Sequence, residues 1–204
     1  YDGNSVRQTT DGGYIIAGST NKSGNDDVYL IKTNGNGDTL WTKTYGGSGY
    51  DEGYCVRQTT DGGYIIAGNL NNDGYLIKTN SNGDTTWTKV FVGSISNSDG
   101  IVQQSSDGGY IVGISNKLIK TNVNGDTTWT KTLNYFDVSG IQQTTDNGFI
   151  VIGTMNYSGN YEDIGLMKTD VNGDTLWTNH FGNVDYEYGN SVRQTSDGGY
   201  ILTG

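Results

Sequence analysis

The sequence has no proline, a single cysteine and no long hydrophobic run. Its longest apolar stretches have four to five residues, too few to cross a bilayer, so we expect no membrane insertion. Because Cys55 is the only cysteine, an internal disulfide is excluded. Its place in the strand-like phrase GYCVRQT favours a small buried core residue.

Basic residues are also scarce. The chain has 12 Lys and Arg against 22 Asp and Glu, which gives a formal net charge of −10 and a pI near 4.3. Such a chain repels phosphate backbones and anionic lipid surfaces, so nucleic acid is not an expected partner. A surface rich in Asp, Asn and Gly is better suited to cations, sugars or basic patches on other proteins.

The most prominent feature that the sequence does contain is repetition. The phrase NGDTLWTK at residues 36–43 returns with few changes at 82–89, 124–131 and 172–179. A second phrase, QTTDGGYIIAG at 8–18, returns at 58–68, 104–114, 142–153 and 194–204. The two phrases alternate along the whole chain. Repeats of roughly 40–50 residues are typical of propellers and solenoids.

Each repeat has the pattern of four short antiparallel strands. In the first repeat these are residues 5–9, 14–18, 28–33 and 40–45, and the Asp-Gly and Gly-Gly pairs between them supply the positive φ angles of tight hairpins. We therefore predict an all-β fold of four full units, residues 1–49, 50–96, 97–136 and 137–184, and a two-strand half unit at 185–204. We expect these to form one repeat domain, as part of a longer chain.

The central strands are apolar on both faces. Ile15 and Ala17 point to one side, and Tyr14 and Ile16 point to the other. Each unit must therefore be covered on both sides by its neighbours, and radial stacking achieves this while removing long open edges. The sequence thus predicts a β-propeller in which each unit is one blade.

A tryptophan recurs at one register of the fourth strand. It occupies positions Trp41, Trp87, Trp129 and Trp177. Recurrence at a single register is what a series of identical packing seams requires. We interpret these side chains as structural contacts between blades and not as platforms for a ligand.

The phrases DGGYIIAG, DVYLIKT and NGDTLWTK resemble the secreted β-propeller repeat modules that occur in tandem on bacterial and archaeal surface proteins. They are also similar to kelch and quinoprotein-like blades, in which a turn glycine and a following tryptophan lock one blade onto the next. The resemblance covers essentially the whole chain. It implies a propeller fold and an extracellular or cell-surface location, but no single activity, because propellers host many.

The connections between these strands are of two kinds. The DGG and NGD turns hardly change, whereas the loops at 19–27, 69–74, 115–116 and 155–163 and the crossings at 46–53, 92–100, 134–140 and 182–189 vary. Diversity along one edge of a uniform scaffold predicts a binding edge, and unconstrained drift of these loops is the alternative. The candidate binding residues are Asp26, Asp27, Tyr50, Asp51, Tyr157, Tyr161, Asp163 and Tyr186. We expect flexible loops here, with carboxylates for cations or partners and tyrosines that stack on sugars.

Metal and catalytic motifs are sparse. The NGNGD turn at 34–38 resembles a calcium loop in composition, but it lacks the acidic density and distal glutamate of a full site. Asx turns are therefore favoured, with Ca²⁺ as the alternative, and no other cofactor is expected. The single histidine, His180, has no serine or cysteine elbow motif to act with, so we predict no catalysis.

Three functional hypotheses remain. The first is a non-catalytic extracellular interaction or adhesion module that binds a protein or glycan through its variable edge. The second is a structural subunit of a surface assembly, joined through the incomplete fifth unit, because an exposed strand edge recruits a partner strand. The third is a fragment of a propeller glycosidase or lyase.

Overall fold

The computed structural model describes residues 1–22, 24–92, 100–156, 162–183 and 185–204. Within these residues the chain forms eighteen β-strands. The strands are β1 Asp2–Gln8, β2 Tyr14–Thr20, β3 Asp27–Thr33, β4 Thr39–Tyr45, β5 Asp51–Gln58, β6 Tyr64–Leu70, β7 Asp73–Thr79, β8 Thr85–Phe91, β9 Ile101–Gln104, β10 Tyr110–Ile114, β11 Lys117–Thr121, β12 Thr127–Thr132, β13 Phe136–Gln143, β14 Phe149–Met155, β15 Asp163–Thr169, β16 Thr175–Phe181, β17 Ser191–Gln194 and β18 Tyr200–Thr203.

The strands form four four-stranded meanders and one two-stranded sheet. The sheets are β1–β4, β5–β8, β9–β12 and β13–β16, each in chain order, followed by β17–β18. Neighbouring strands pair antiparallel. The predicted all-β architecture of four full units and a half unit is confirmed.

The strands extend further toward the variable connections than the sequence predicts. β2 ends at Thr20 and β3 begins at Asp27, so the first loop contains only residues 21–26. Between β6 and β7 only Asn71 and Asn72 remain, with φ of 51° and 71°. Positive φ at both central residues is the geometry of a tight hairpin whose twist matches its strands, and asparagine tolerates it well.

The recurring DGG turn is closed by hydrogen bonds and binds a buried lysine. In the first sheet Gly12 has a φ of 80°, and Asp11 Oδ1 accepts hydrogen bonds from the Thr9 hydroxyl and the Gly13 amide at 2.5 and 3.0 Å. The buried Lys32 ammonium lies 2.9 Å from the Asp11 carboxylate and donates to the Thr33 carbonyl. Burial of the ammonium is tolerated because these oxygens satisfy it.

The same lysine–aspartate pair recurs in each four-stranded sheet. The other pairs are Lys78–Asp61, Lys120–Asp107 and Lys168–Asp146, at 2.8, 2.7 and 2.9 Å. The recurrence explains why the motif IKT or MKT follows the first four DGG or DNG turns in the sequence.

The chain divides into two compact units, Tyr1–Gln104 and Ser105–Gly204. In the first unit the core lies between the first two sheets and is formed by Ile15, Ala17, Val28, Leu30, Val56, Tyr64, Ile66, Tyr75 and Ile77. In the second unit a comparable cluster between the fourth sheet and the half sheet contains Ile150, Ile152, Leu166 and Val192. Both clusters lie where one sheet packs face to face on the next.

Consecutive sheets within each unit also share polar contacts. In the first unit β5 packs against β1, β2 and β3, and the Gln58 side chain accepts a 2.9 Å hydrogen bond from the Thr10 amide in the DGG turn of the preceding sheet. In the second unit β17 packs against β13 and β14, and Gln194 accepts from the Thr145 amide at 3.0 Å. A glutamine at the end of the first strand in each later sheet therefore holds the turn of the sheet before it.

Candidate binding site

The tryptophans lie on the fourth strands, where each ring is half-buried. Trp41 contacts Tyr64 of the next sheet edge-to-face, with the ring centroids 5.9 Å apart. In the second unit Trp129 meets Phe149 at 6.2 Å and Trp177 meets Tyr200 at 5.9 Å. Edge-to-face pairs of this kind stabilise beyond the area that they bury.

The NGD turns use their side chains internally. Asn34 Oδ1 accepts hydrogen bonds from the amides of Asn36 and Asp38, both at 2.9 Å, and its Nδ2 donates to the Asp38 carboxylate. The same arrangement occurs in the turns that begin at Asn80 and Asn122. These are Asx turns that close a hairpin. In the part of the chain that the structure describes, no three His, Cys, Asp or Glu side chains are grouped to hold a metal ion.

The candidate residues of the first unit do not share one environment. Tyr50 is 68% exposed in the crossing between β4 and β5. Asp26 is half-buried, and its backbone carbonyl accepts a 2.7 Å hydrogen bond from the Asp51 amide. Asp27 and Asp51, however, are 8% and 0% exposed. The prediction that they lie in flexible loops is wrong, because each is the first residue of a strand and is buried.

The candidates of the second unit are arranged in the same way. Asp163 is half-buried at the start of β15, and Tyr186 is 60% exposed in the crossing that precedes β17. The Glu162 carbonyl accepts a 2.7 Å hydrogen bond from the Glu187 amide, which repeats the contact between Asp26 and Asp51. Tyr157 and Tyr161 lie outside the described residues.

A polar hollow lies along the variable edge of the second unit. Its volume is about 330 Å³, and it is lined by Ser115, Asn116, Tyr135, Phe136, Asp137, Thr154, Asn156 and Glu162. These residues come from the β10–β11 turn, from the β12–β13 crossing and the start of β13, and from the end of β14 and the two sides of the β14–β15 loop. We refer to these eight residues as the polar hollow.

Backbone hydrogen bonds hold the walls of the polar hollow together. The carbonyls of Ser115 and Asn116 accept from the amides of Val138 and Leu133 at 2.8 and 2.7 Å, and the Tyr135 carbonyl accepts from the Asn156 amide at 3.0 Å. Ser115 and Tyr135 have φ of 51° and 60°. Ser115 therefore has the same left-handed φ as Asn71 in the corresponding two-residue hairpin, as a tight turn between two strands requires.

The lining of the hollow combines one buried aromatic residue with exposed and polar ones. Phe136 is 1% exposed and forms part of the core, whereas the Tyr135 ring is 73% exposed. Asp137 is exposed and Glu162 is half-buried, so two carboxylates accompany the amides and hydroxyls of the lining. Burial, together with the nearby Glu162 carboxylate, raises the pKa of the Tyr188 phenol.

Sequence reasoning identified the variable edge but missed most residues of the polar hollow. Its lining residues Asn116, Tyr135, Asp137 and Glu162 are not among the predicted site residues. The short third loop, 115–116, could have indicated the position of the hollow, since a connection of two residues leaves space beside it. His180, in turn, is exposed on β16 opposite Gly165 and lies apart from the lining of the hollow.

Comparison with known proteins supports the fold. Neither a protein-family model nor a curated protein sequence matches the chain. Among solved structures, a protein of unknown function from Bacteroides caccae matches 98% of the chain with a TM-score of 0.66 and 14% identity. Streptogramin B lyase matches 98% of the chain with a TM-score of 0.65 and 12% identity. The Dos1 propeller matches 93% of the chain with a TM-score of 0.60 and 11% identity.

The fold is that of β-propeller blades. The chain spans 70%, 61% and 49% of the lengths of those three proteins, respectively. At such low identities the likeness shows the architecture alone, and one of the matched proteins is a lyase while another is described only as a propeller. The described residues contain no helix with the length and apolar character needed to span a membrane.

Proposed function

We propose that this chain is a non-catalytic binding module of the secreted propeller-repeat type, acting outside the cell, and that it binds a neutral carbohydrate in the polar hollow. One observation carries the proposal: three variable connections converge on a single hollow in an otherwise uniform scaffold. Variable loops on a rigid framework are where binding residues concentrate.

The size and chemistry of the hollow suit a sugar. A volume of about 330 Å³ lies at the lower end of the range of roughly 300–1,000 Å³ found for small-ligand sites. The exposed Tyr135 ring offers an apolar face with a polar tip. Asp137 and Glu162 offer hydrogen-bond acceptors, and Asn116 and Asn156 offer both donors and acceptors. The net charge of −10 disfavours anionic sugars.

The first experiment is a glycan array with and without Ca²⁺, followed by calorimetric titration with the sugar that binds. Tyr135→Ala should weaken that binding by about tenfold or more, because stacked aromatic rings are the usual hot spots of such contacts. The control is Leu176→Ala, which removes a similarly exposed apolar side chain from β16 of the same unit, outside the lining of the hollow. An equal effect of the two variants would argue against the hollow as the site.

Other results would favour one of the alternative functions. Binding of a protein but of no sugar would favour a protein-interaction module. Release of a cleaved product, abolished by Asp137→Asn, would favour a glycosidase or lyase. A species larger than a monomer by light scattering would favour the assembly hypothesis. That Tyr50 and Tyr186 contact a ligand elsewhere along the variable edge stays a prediction.

A further inference from the structure

Two buried carboxylates face each other between the first and second sheets. Asp27 begins β3 and Asp51 begins β5, and they are 8% and 0% exposed. A β-carbon placed on Gly46 would overlap both Asp27 Oδ1 and Asp51 Oδ2. The two carboxylates therefore lie close together beside the glycine, where no larger side chain would fit.

Two further observations show oxygen atoms without partners at this junction. Asp51 Oδ2 accepts a 2.8 Å hydrogen bond from the Gly47 amide, but Asp51 Oδ1 and Thr20 Oγ1 are buried, and neither finds a hydrogen-bond partner among the described residues. Thr20 is 2% exposed and pairs directly with Asp27 in the β2–β3 register. Directly paired residues project to the same face of a sheet, so the Thr20 hydroxyl and the Asp27 carboxylate lie on one face of the first sheet.

Such an arrangement is unfavourable unless something compensates it. Burial of a charge is costly without a partner of opposite sign, and a second carboxylate beside it adds repulsion. Burial first, and then the charge of Asp27, raise the pKa of Asp51, and the Gly47 amide opposes this. A buried polar oxygen that lacks a partner in a folded protein calls for an explanation such as a bound ion.

The arrangement recurs once in the second unit, at the corresponding positions. A β-carbon on Gly182 would overlap Asp163 Oδ1 and Glu187 Oε2, and Glu187 Oε2 is also buried without a hydrogen-bond partner among the described residues. In the third and fourth sheets, by contrast, Lys117 begins β11 and the fully buried Phe136 begins β13. The fold therefore does not itself require an acidic pair at this place.

We propose that Asp27 and Asp51, with the Thr20 hydroxyl, bind a Ca²⁺-class cation, and that Asp163 and Glu187 form a second, weaker site. The donors are all oxygen atoms, which hard cations prefer, and histidine and thiolate, which would favour zinc, are not among them. Two carboxylates balance the charge of one divalent ion, and water completes the six to eight ligands that Ca²⁺ takes. Met155 stands opposite Asp163 in the register, so the second site lacks the hydroxyl.

The ion would connect consecutive blades. Asp27 belongs to the first sheet and Asp51 to the second, so a cation between them adds a link across the seam. Sites with few acidic ligands bind Ca²⁺ with dissociation constants of about 10⁻⁴–10⁻³ M, the range of extracellular modules. Because Ca²⁺ would bind only the folded state, millimolar Ca²⁺ should raise the unfolding temperature.

The test uses the full chain, freed of metal with EDTA and dialysed, and titrated with CaCl₂ in a calorimeter. We expect two binding events, and an unfolding temperature that rises by about 2–4 °C at millimolar Ca²⁺. Asp51→Asn should remove the tighter event, Glu187→Gln the weaker one, and the double variant both. The control Asp38→Asn removes an exposed carboxylate from an Asx turn and should leave both events unchanged.

Three outcomes would overturn the proposal. They are the absence of any Ca²⁺-dependent heat or stabilisation in the parent chain, an unchanged response in the double variant, and loss of the response in Asp38→Asn. Asn and Gln keep the shape of the acids that they replace, and circular dichroism checks that the variants fold. As a measurement independent of variants, Tb³⁺ luminescence excited through tyrosine should appear on the parent chain and be displaced by Ca²⁺; its absence would also contradict the proposal.

Discussion

The aromatic ring of Trp41 lies against Gly83 of the next sheet, so close that no β-carbon fits between them. A β-carbon on Gly83 would stand 2.9 Å from Trp41 Cζ3 and 2.8 Å from Lys43 Cγ. The same turn accepts a 2.6 Å hydrogen bond from the Tyr45 hydroxyl at the Gly83 carbonyl. The WTKTY strand of one sheet thus packs against the NGD turn of the next sheet.

This contact predicts that Gly83→Ala is more destabilising than Gly37→Ala. Both glycines have left-handed φ, 79° and 88°, so both substitutions incur a conformational cost of about 1–2 kcal/mol. A β-carbon on Gly37 meets no atom within 4 Å, and only Gly83→Ala also displaces a ring, which adds about 1–3 kcal/mol. Urea unfolding of the two variants measures the difference. Equal losses would mean that the Trp41 ring moves aside freely.

The seam itself predicts that Trp41→Ala destabilises the protein by about 2–4 kcal/mol, because a half-buried indole loses its contacts with Tyr64. Leu40→Ala is the matched control, since Leu40 lies on the opposite face of β4 and is 57% exposed. Its effect should stay within about 0.5 kcal/mol. Thermal unfolding of both variants checks this, and similar losses would show that the indole is not part of a packing seam.

The DNG turn in the fourth sheet predicts loss of stability in acid. The Thr144 hydroxyl and then the Lys168 ammonium lower the pKa of Asp146 from 3.8 to about 2. Because the pKa is lower in the folded state, Asp146 contributes stability above about pH 4, and this is lost as the pH falls from about 4 to about 2. Asp146→Asn should flatten that part of the stability–pH profile. The exposed substitution Asp2→Asn serves as control, and a parallel profile for Asp146→Asn would contradict the prediction.

A corresponding prediction holds at alkaline pH. Burial, and then the charge of Asp84, raise the pKa of Tyr45 above its ordinary value of 10.0. A raised pKa in the folded state means that the contribution is complete below about pH 10 and declines as the pH rises further. Tyr45→Phe should cost about 1 kcal/mol at neutral pH, through the lost bond to Gly83, and should lessen the alkaline decline. Urea unfolding at about pH 8 and pH 11 measures both effects.

The strand order followed from local signals in the sequence. Each DGG or NGD turn carries its own hydrogen-bonding groups, and strand alternation repeats around it, so the four meanders and the half sheet could be predicted without knowledge of distant contacts. The limits of the strands near the variable connections could not. Asn71 and Asn72 close a two-residue hairpin, and a run of polar residues there gives little indication of where pairing stops.

The buried acidic residues show a second limit of prediction from the sequence. The sequence predicts flexible loops at Asp27 and Asp51 because both residues lie in variable connections. Their burial depends on which residues the neighbouring sheet places over them, and the chain positions involved are far apart in sequence. The polar hollow is similar, because Asn116, Tyr135 and Glu162 come from three connections whose proximity arises only when β10–β15 are packed.

The amino-acid sequence by itself determined the repeat, the turn chemistry, the strand alternation and the recurring tryptophan register, because each depends on residues within a few positions of one another. Only the tertiary structure decided which side chains share an environment: the ring of Trp41 over Gly83, the carboxylates beside Gly46 and the lining of the hollow. Those relationships depend on how one sheet lies against the next, and packing across a seam joins residues that local sequence cannot relate.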